Sequence, residues 1–196
     1  MNKQVRILWP LPEMRPGAVP GKNHPGTFWA CREDRHHGGV DLYAPPGTPV
    51  VSTEKGRVLE TGRFTDPNQR PYWNTTYFVL IYHESGLTAR YAELMDFCVK
   101  TGETVRAGQL LGHVGAVLNL ERIDGNAPAY IRKLGDEGRS SMLHFELYTS
   151  PHRSGRDYSG GNWFRKTRPA GLLDPVPYLI SGIVPSSISS PEESSS

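Results

Sequence analysis

Two short segments carry side chains of the types that hold metal ions. His37-Gly38-Gly39-Val40-Asp41 places an imidazole and a carboxylate four residues apart, and Met142-Leu143-His144-Phe145-Glu146 offers a second imidazole far downstream. Two imidazoles and one carboxylate suit zinc. With only three ligands they leave a fourth position open to water or substrate, as catalytic zinc requires. Taken singly, each residue has a plainer reading. A histidine and an aspartate at this spacing also make a hydrogen-bonded pair or a turn, and a histidine in an apolar strand is commonly a satisfied core residue.

The elements that must position these residues are strands. Gly38 and Gly39 argue against a helix over 37–41. On an extended segment positions 37, 39 and 41 share a face, with His36 on the other. By the same period Met142, His144, Glu146 and Tyr148 share a face. Val50-Val51, Gly56-Arg57-Val58-Leu59, Tyr77 to Tyr82 and Leu143 to Tyr148 are rich in β-branched and aromatic residues, and 21 glycines and 17 prolines separate such pieces. The expected fold is mostly β, a small antiparallel sandwich or barrel-like core with long loops. Val99 to Gly112, with turns at Gly102 and Gly108, predicts a β-hairpin. Short helices are expected over Ala127–Leu134 and Pro175–Ile180.

Residues 1–185 read as one domain, with 118–140 as a surface insertion placed to act as a rim or lid. The serine-rich segment 186–196 reads as a disordered tail. A net charge of +2, from 22 basic and 20 acidic residues, gives no footprint for nucleic acid. No apolar run is long enough to span a bilayer. Met1 to Pro10 carries charge but no apolar h-region, which argues against a secretory signal peptide. Cys31 and Cys98 lack the spacing of a cysteine zinc site and are read as buried thiols, with their pairing left open. His83 and His113, in apolar strands, are read as structural. His24, His36 and His152 fall in polar loops.

The order of these motifs resembles the lysostaphin-type zinc metalloendopeptidases, which cleave peptide cross-links in bacterial peptidoglycan. The likeness runs from about Trp9 to Leu179. His37 to Val50 looks like the first ligand motif and its following turn. Tyr82 to Leu94 resembles the strand pair leading to the catalytic-histidine motif, and Leu143-His144-Phe145-Glu146 the closing one. Carried across, the resemblance implies one zinc ion held by His37, Asp41 and His144, a peptidoglycan peptide as substrate, and a place in the cell envelope or outside the cell.

Two positions depart from the family. Tyr91-Ala92-Glu93-Leu94 stands where Tyr-x-His-Leu is usual, and Met142-Leu143-His144 where His-x-His is usual. Glu93 is the candidate general base, since a glutamate does this work in other zinc peptidases. Met142 donates no hydrogen bond, so one contact to a developing oxyanion is lost, typically about 3–4 kcal/mol or roughly 10²–10³ in rate. Tyr148 and Arg90 are candidate substitutes, against the plainer reading of a packed tyrosine and a solvated arginine. Glu146 is either a partner that orients a ligand imidazole or a salt-bridge acid.

Three readings follow. The favoured one is an active zinc endopeptidase with Glu93 as base, because a retained ligand set with a carboxylate beside it exceeds what scaffold preservation requires. The alternative is an inactive zinc-bound module that binds a cell-wall peptide or a protein partner. The turns at 99–115 also resemble those of lipoyl- and biotinyl-type carriers, but no lysine is presented at a hairpin tip and His37 and Asp41 go unexplained.

Overall fold

The computed structural model describes residues 5–149 and 156–184. The serine-rich segment 186–196 and His152 lie outside the described residues. In chain order the strands are β1 (Val5–Arg6), β2 (Cys31–Arg32), β3 (Arg35–His37), β4 (Val40–Tyr43), β5 (Pro49–Val51), β6 (Gly56–Thr65), β7 (Thr76–His83) and β8 (Thr88–Phe97). They continue with β9 (Thr104–Val105), β10 (Leu110–Ala116), β11 (Ser141–Tyr148), β12 (Tyr158–Ser159), β13 (Asn162–Trp163), β14 (Leu172–Leu173) and β15 (Ile183–Val184). Two helices, α1 (Ala129–Asp136) and α2 (Val176–Ser181), complete the elements that matter here.

The main sheet has nine strands, ordered β14-β11-β10-β8-β7-β6-β9, with β4 joined to β11 and β5 to β10. A small sheet, β12-β13-β3-β2, lies beside it, and β1 pairs with β15. The fold is mostly β and antiparallel. Strand β11 is pivotal: Met142 to Phe145 pair with β4, and His144 to Tyr148 pair with β8.

Alternation on these strands separates core from site. Val40, Leu42, Ala89, Tyr91, Leu143, Phe145 and Leu147 enter one buried cluster together with Val79, Ile81 and Leu111. Their even-numbered or odd-numbered neighbours, Asp41, Arg90, His144 and Glu146, are also buried, but on the opposite face. A polar group can stay there only if it finds a partner.

Two expectations from sequence are corrected. Strands β9 and β10 do not form a hairpin. The turns at Gly102 and Gly108 exist, both with positive φ, but β9 pairs with β6 while β10 pairs with β8, β5 and β11. The sheet curls enough for adjacent strands to find distant partners. Cys31 and Cys98 are exposed and free rather than buried. Cys31 opens a two-residue strand of the small sheet, and Cys98 follows directly on the end of β8, so neither reaches the core.

Segment 118–140 forms a 3-10 turn at Leu120–Arg122 and then α1. Pro128 precedes the helix and supplies no cap hydrogen bond. Ile131 and Leu134, three apart on one helical face, pack with Tyr72, Trp73, Val117, Leu118 and Met142 in a second apolar cluster.

Candidate metal and hydrolytic site

His37 ends β3 in the small sheet, whereas Asp41 lies on β4 and His144 on β11 in the main sheet. Residues 37–41 are therefore not one continuous strand. The chain leaves one sheet at Gly38-Gly39 and enters the other. Asp41 and His144 are direct cross-strand neighbours. The structure brings all three together: His37 Nε2, His144 Nδ1 and Asp41 Oδ1 lie 3.0 Å from one another. His36 faces away, stacked on Trp29 with its Nδ1 near the Arg165 carbonyl.

The outer nitrogens fix what the inner ones can do. His37 Nδ1 is 2.8 Å from the Thr27 carbonyl, which only accepts, so that nitrogen carries the proton. His144 Nε2 is 2.9 Å from Glu146 Oε1 and donates to it. Each ring thus turns its other nitrogen toward the Asp41 oxygen. Histidine ligands are oriented by carbonyl and carboxylate partners of this kind. The mutual spacing compares with the edge of about 3.3 Å in a tetrahedral site with bonds of about 2.0–2.1 Å. The donor set fits zinc.

Electrostatics agree. Burial opposes a charged His144, yet its hydrogen bonds to Asp41 and Glu146 hold it up at about 9. Burial, with Arg32 nearby, pushes His37 down to about 4. Burial alone would raise Asp41, but His37, His144 and Arg32 hold it well below the usual range. A cluster of this kind attracts positive charge.

Further polar contacts hold the cluster. Glu146 accepts from His144 and from Tyr158 Oη at 2.5 Å through Oε1, and from Arg90 at 3.1 Å and Tyr148 Oη at 2.7 Å through Oε2. It therefore both orients an imidazole and forms a buried salt bridge. Burial would raise its pKa, but Arg90 and His144 bring it to about 2. Arg90 is buried, not solvated, and Tyr148 is bonded as well as packed. On the other side Arg32 donates to Asp41 Oδ2 at 3.1 Å, to Asn162 Oδ1 at 3.0 Å and to the Pro25 carbonyl. Gly161 has φ +75°, and a Cβ there would stand 2.6 Å from His144 Cε1, so only glycine lets this turn close over the ring.

Glu93 is placed by an irregularity. On β8, Ala92 pairs with Phe78 and Leu94 with Tyr77, a register shift that leaves Glu93 unmatched. Its φ is +64°, unusual for a residue with a side chain. Such a bulge re-aims a side chain. Glu93 enters a cleft with Arg32, Asp41, Met142, Tyr130 and Asn162, and its Oε2 is buried without a hydrogen-bond partner. Burial, with the Asp41 charge added, raises its carboxyl to about 8. Its lining is polar at Arg32, Asp41 and Asn162 and apolar at Met142, Ile131, Leu134 and Trp73.

Of the other histidines, His83 is buried against Tyr91 Oη at 3.2 Å, and burial lowers it to about 4. His113 is half-buried and bonded to Asp96. Sequence reasoning missed Arg32, Tyr158 and Asn162. Arg32 sits at a tight charged turn, Arg32-Glu33-Asp34-Arg35, which reads as solvent-facing. Tyr158 and Asn162 depend on β12 and β13, each only two residues long.

A curled antiparallel sheet whose Asp41 and His144 meet His37 from a smaller sheet is the architecture of a peptidase-like domain. The chain belongs to peptidase family M23, whose pattern matches residues 35–155. It is 35% identical over 125 residues to the cell division protein DipM of Caulobacter vibrioides, covering 64% of this chain and 16% of that protein. It is 32% identical over 100 residues to the peptidoglycan DD-endopeptidase ShyB of Vibrio cholerae, covering 51% and 21%. The chain thus spans about a fifth or less of these relatives' length. Among solved structures, lysostaphin from Staphylococcus simulans shares the fold, with TM-score 0.50 and 19% identity over 90% of this chain and 55% of that one.

Proposed function

We propose that this domain is a zinc-dependent endopeptidase acting on peptide cross-links of peptidoglycan, with zinc held by His37, Asp41 and His144 and Glu93 as general base. The observation that carries the reading is the convergence of three donor atoms at 3.0 Å, one of them on Asp41, which lines the same cleft as Glu93, whose Oε2 is buried without a partner. Family membership supports it, as does the similarity to ShyB, a peptidoglycan DD-endopeptidase. The substrate puts the site of action in the cell envelope. Among the described residues no helix is long and apolar enough to cross a membrane.

Zinc, when bound, supplies a Lewis acid that acidifies water and polarises a carbonyl. The protein does the rest. His37 and His144, tethered through their outer nitrogens, and Asp41, anchored by Arg32, arrive preorganised. Glu93 takes a proton from the attacking water and returns it to the leaving amine. A carboxyl shifted toward neutrality is matched to both tasks. Met142 offers nothing to an oxyanion. Arg32, a cation lining the same cleft, is the nearest substitute, but its donors already serve Asp41, Asn162 and Pro25. Turnover is therefore expected to be slow. Segment 118–140 forms the rim that selects the peptide.

One observation favours a second reading, a zinc-bound module that binds peptide without cleaving it. Ile131 and Leu134 of α1 pack on Met142, so part of the cleft that Glu93 enters is apolar. Zinc-loaded protein incubated with intact peptidoglycan separates the two. Fragments seen by mass spectrometry that vanish with chelator and in His37→Ala establish the endopeptidase, and unchanged turnover in Glu93→Gln removes Glu93 as base. No fragments at one bound zinc per chain would favour the binding module.

A further inference from the structure

A second group of donors lies outside the site above, where β8 ends against β10. Asp96 and Cys98 are two residues apart along β8 and its continuation, so their side chains share a face. His113 on β10 is the register partner of Asp96. The pairing continues one step further, since the Cys98 N–H donates to the Leu111 carbonyl at 2.8 Å. The three side chains are therefore fixed to one patch by the ladder itself. Their ligand atoms all fall within 4.8 Å of one another.

The local packing is tight. A Cβ at position 112 would stand 2.3 Å from the Asp96 carbonyl, so Gly112 is what lets β10 approach β8 this closely. Asp96 Oδ1 accepts both the His113 backbone N–H and ring Nδ1, each at 2.9 Å. His113 Nδ1 and Asp96 Oδ1 thus already face each other at 2.9 Å, close to the spacing of two ligands on one small ion, which would replace the proton between them. A surface His–Asp pair by itself would account for two of the residues. It leaves the free thiol in reach unexplained.

We infer that Asp96, Cys98 and His113 form a second metal site, for a divalent transition ion of the zinc class. A thiolate beside an imidazole selects zinc, cobalt or nickel over calcium and magnesium, which take oxygen ligands. Ligand atoms around such an ion are spaced about 3.3–3.6 Å, given bonds of about 2.0–2.3 Å. The exposed Cys98 and Asp96 side chains reach that spacing by turning about their own bonds. All three residues are accessible, so the ion enters without any opening of the sheet. Water completes the coordination.

The test is titration of metal-free, reduced protein with Co²⁺, followed by optical absorption and by metal content after dialysis. A thiolate-to-cobalt charge-transfer band is expected, with one ion per chain beyond that held at His37, Asp41 and His144. Cys98→Ser should abolish the band and remove the extra ion, and His113→Ala should do the same. Cys31→Ser should leave both unchanged, and so should His37→Ala for the band. A band that survives in Cys98→Ser, or wild-type protein that binds no ion through sulfur, would overturn the assignment. Because Cys98 is exposed, its serine variant is expected to fold, and a near-native melting temperature checks this.

Discussion

The two histidine–carboxylate clusters of this protein share donor chemistry and differ in everything behind it. His37, Asp41 and His144 are buried, and each has a second atom tied to the protein: Thr27, Arg32 or Glu146. Asp96, Cys98 and His113 sit at or near the surface, where Asp96 and His113 hold each other through the His113 ring and backbone N–H. The buried set has been paid for in desolvation and is preorganised. The exposed set is cheap and loose. Geometry that has been locked in advance binds tightly and positions a reaction, whereas geometry completed by the ligand binds weakly.

That contrast can be broken from either side. His144→Ala should have the largest effect, abolishing zinc binding at the buried cluster and any hydrolysis while leaving the sulfur-to-cobalt band intact. Glu146→Gln leaves the buried Arg90 guanidinium without its countercharge and should cost about 3–5 kcal/mol in denaturant unfolding. The same change should weaken zinc binding about 10–100-fold by freeing the His144 ring.

A third carboxylate sharpens what pairing contributes. Glu54 is buried, with Oε1 accepting from the Ser85 hydroxyl and Oε2 without a partner, and burial pushes it up to about 7 although Ser85 opposes the shift. A raised folded-state pKa stabilises the fold below the unfolded value, and that contribution is lost as pH rises through about 7. Glu54→Gln should therefore match wild type at pH ~4 and gain on it by about 2 kcal/mol at pH ~8, read from paired melting curves. The smallest effect is expected from Asp96→Asn. It should shift stability by less than about 0.5 kcal/mol and appear mainly as weaker cobalt binding.

Period-two reasoning on β11 was enough to place Met142, His144, Glu146 and Tyr148 on one face, because that strand is regular and central. The β character was legible for the same reason in β7 and β8. What escaped were features made by irregularity or by long-range pairing. The bulge at Glu93 has no local signature, since a positive φ in a strand is imposed by its neighbours. Arg32 reads as solvated because nothing nearby announces that Asp41 and Asn162 will close over it. The β9–β10 hairpin failed because turn residues report a change of direction, not the partner of the next strand.

The cluster at His37, Asp41 and His144 also has a mechanical consequence. His37 belongs to the small sheet, and Asp41 and His144 belong to the main one. Any ion bound by all three is a rivet between two layers, and its binding energy is stored at their seam rather than within either. Local opening of β2, β3, β12 and β13 away from the main sheet would then require the rivet to let go. Slow amide exchange in those short strands should track metal occupancy, whereas exchange in β7 and β8 should barely respond.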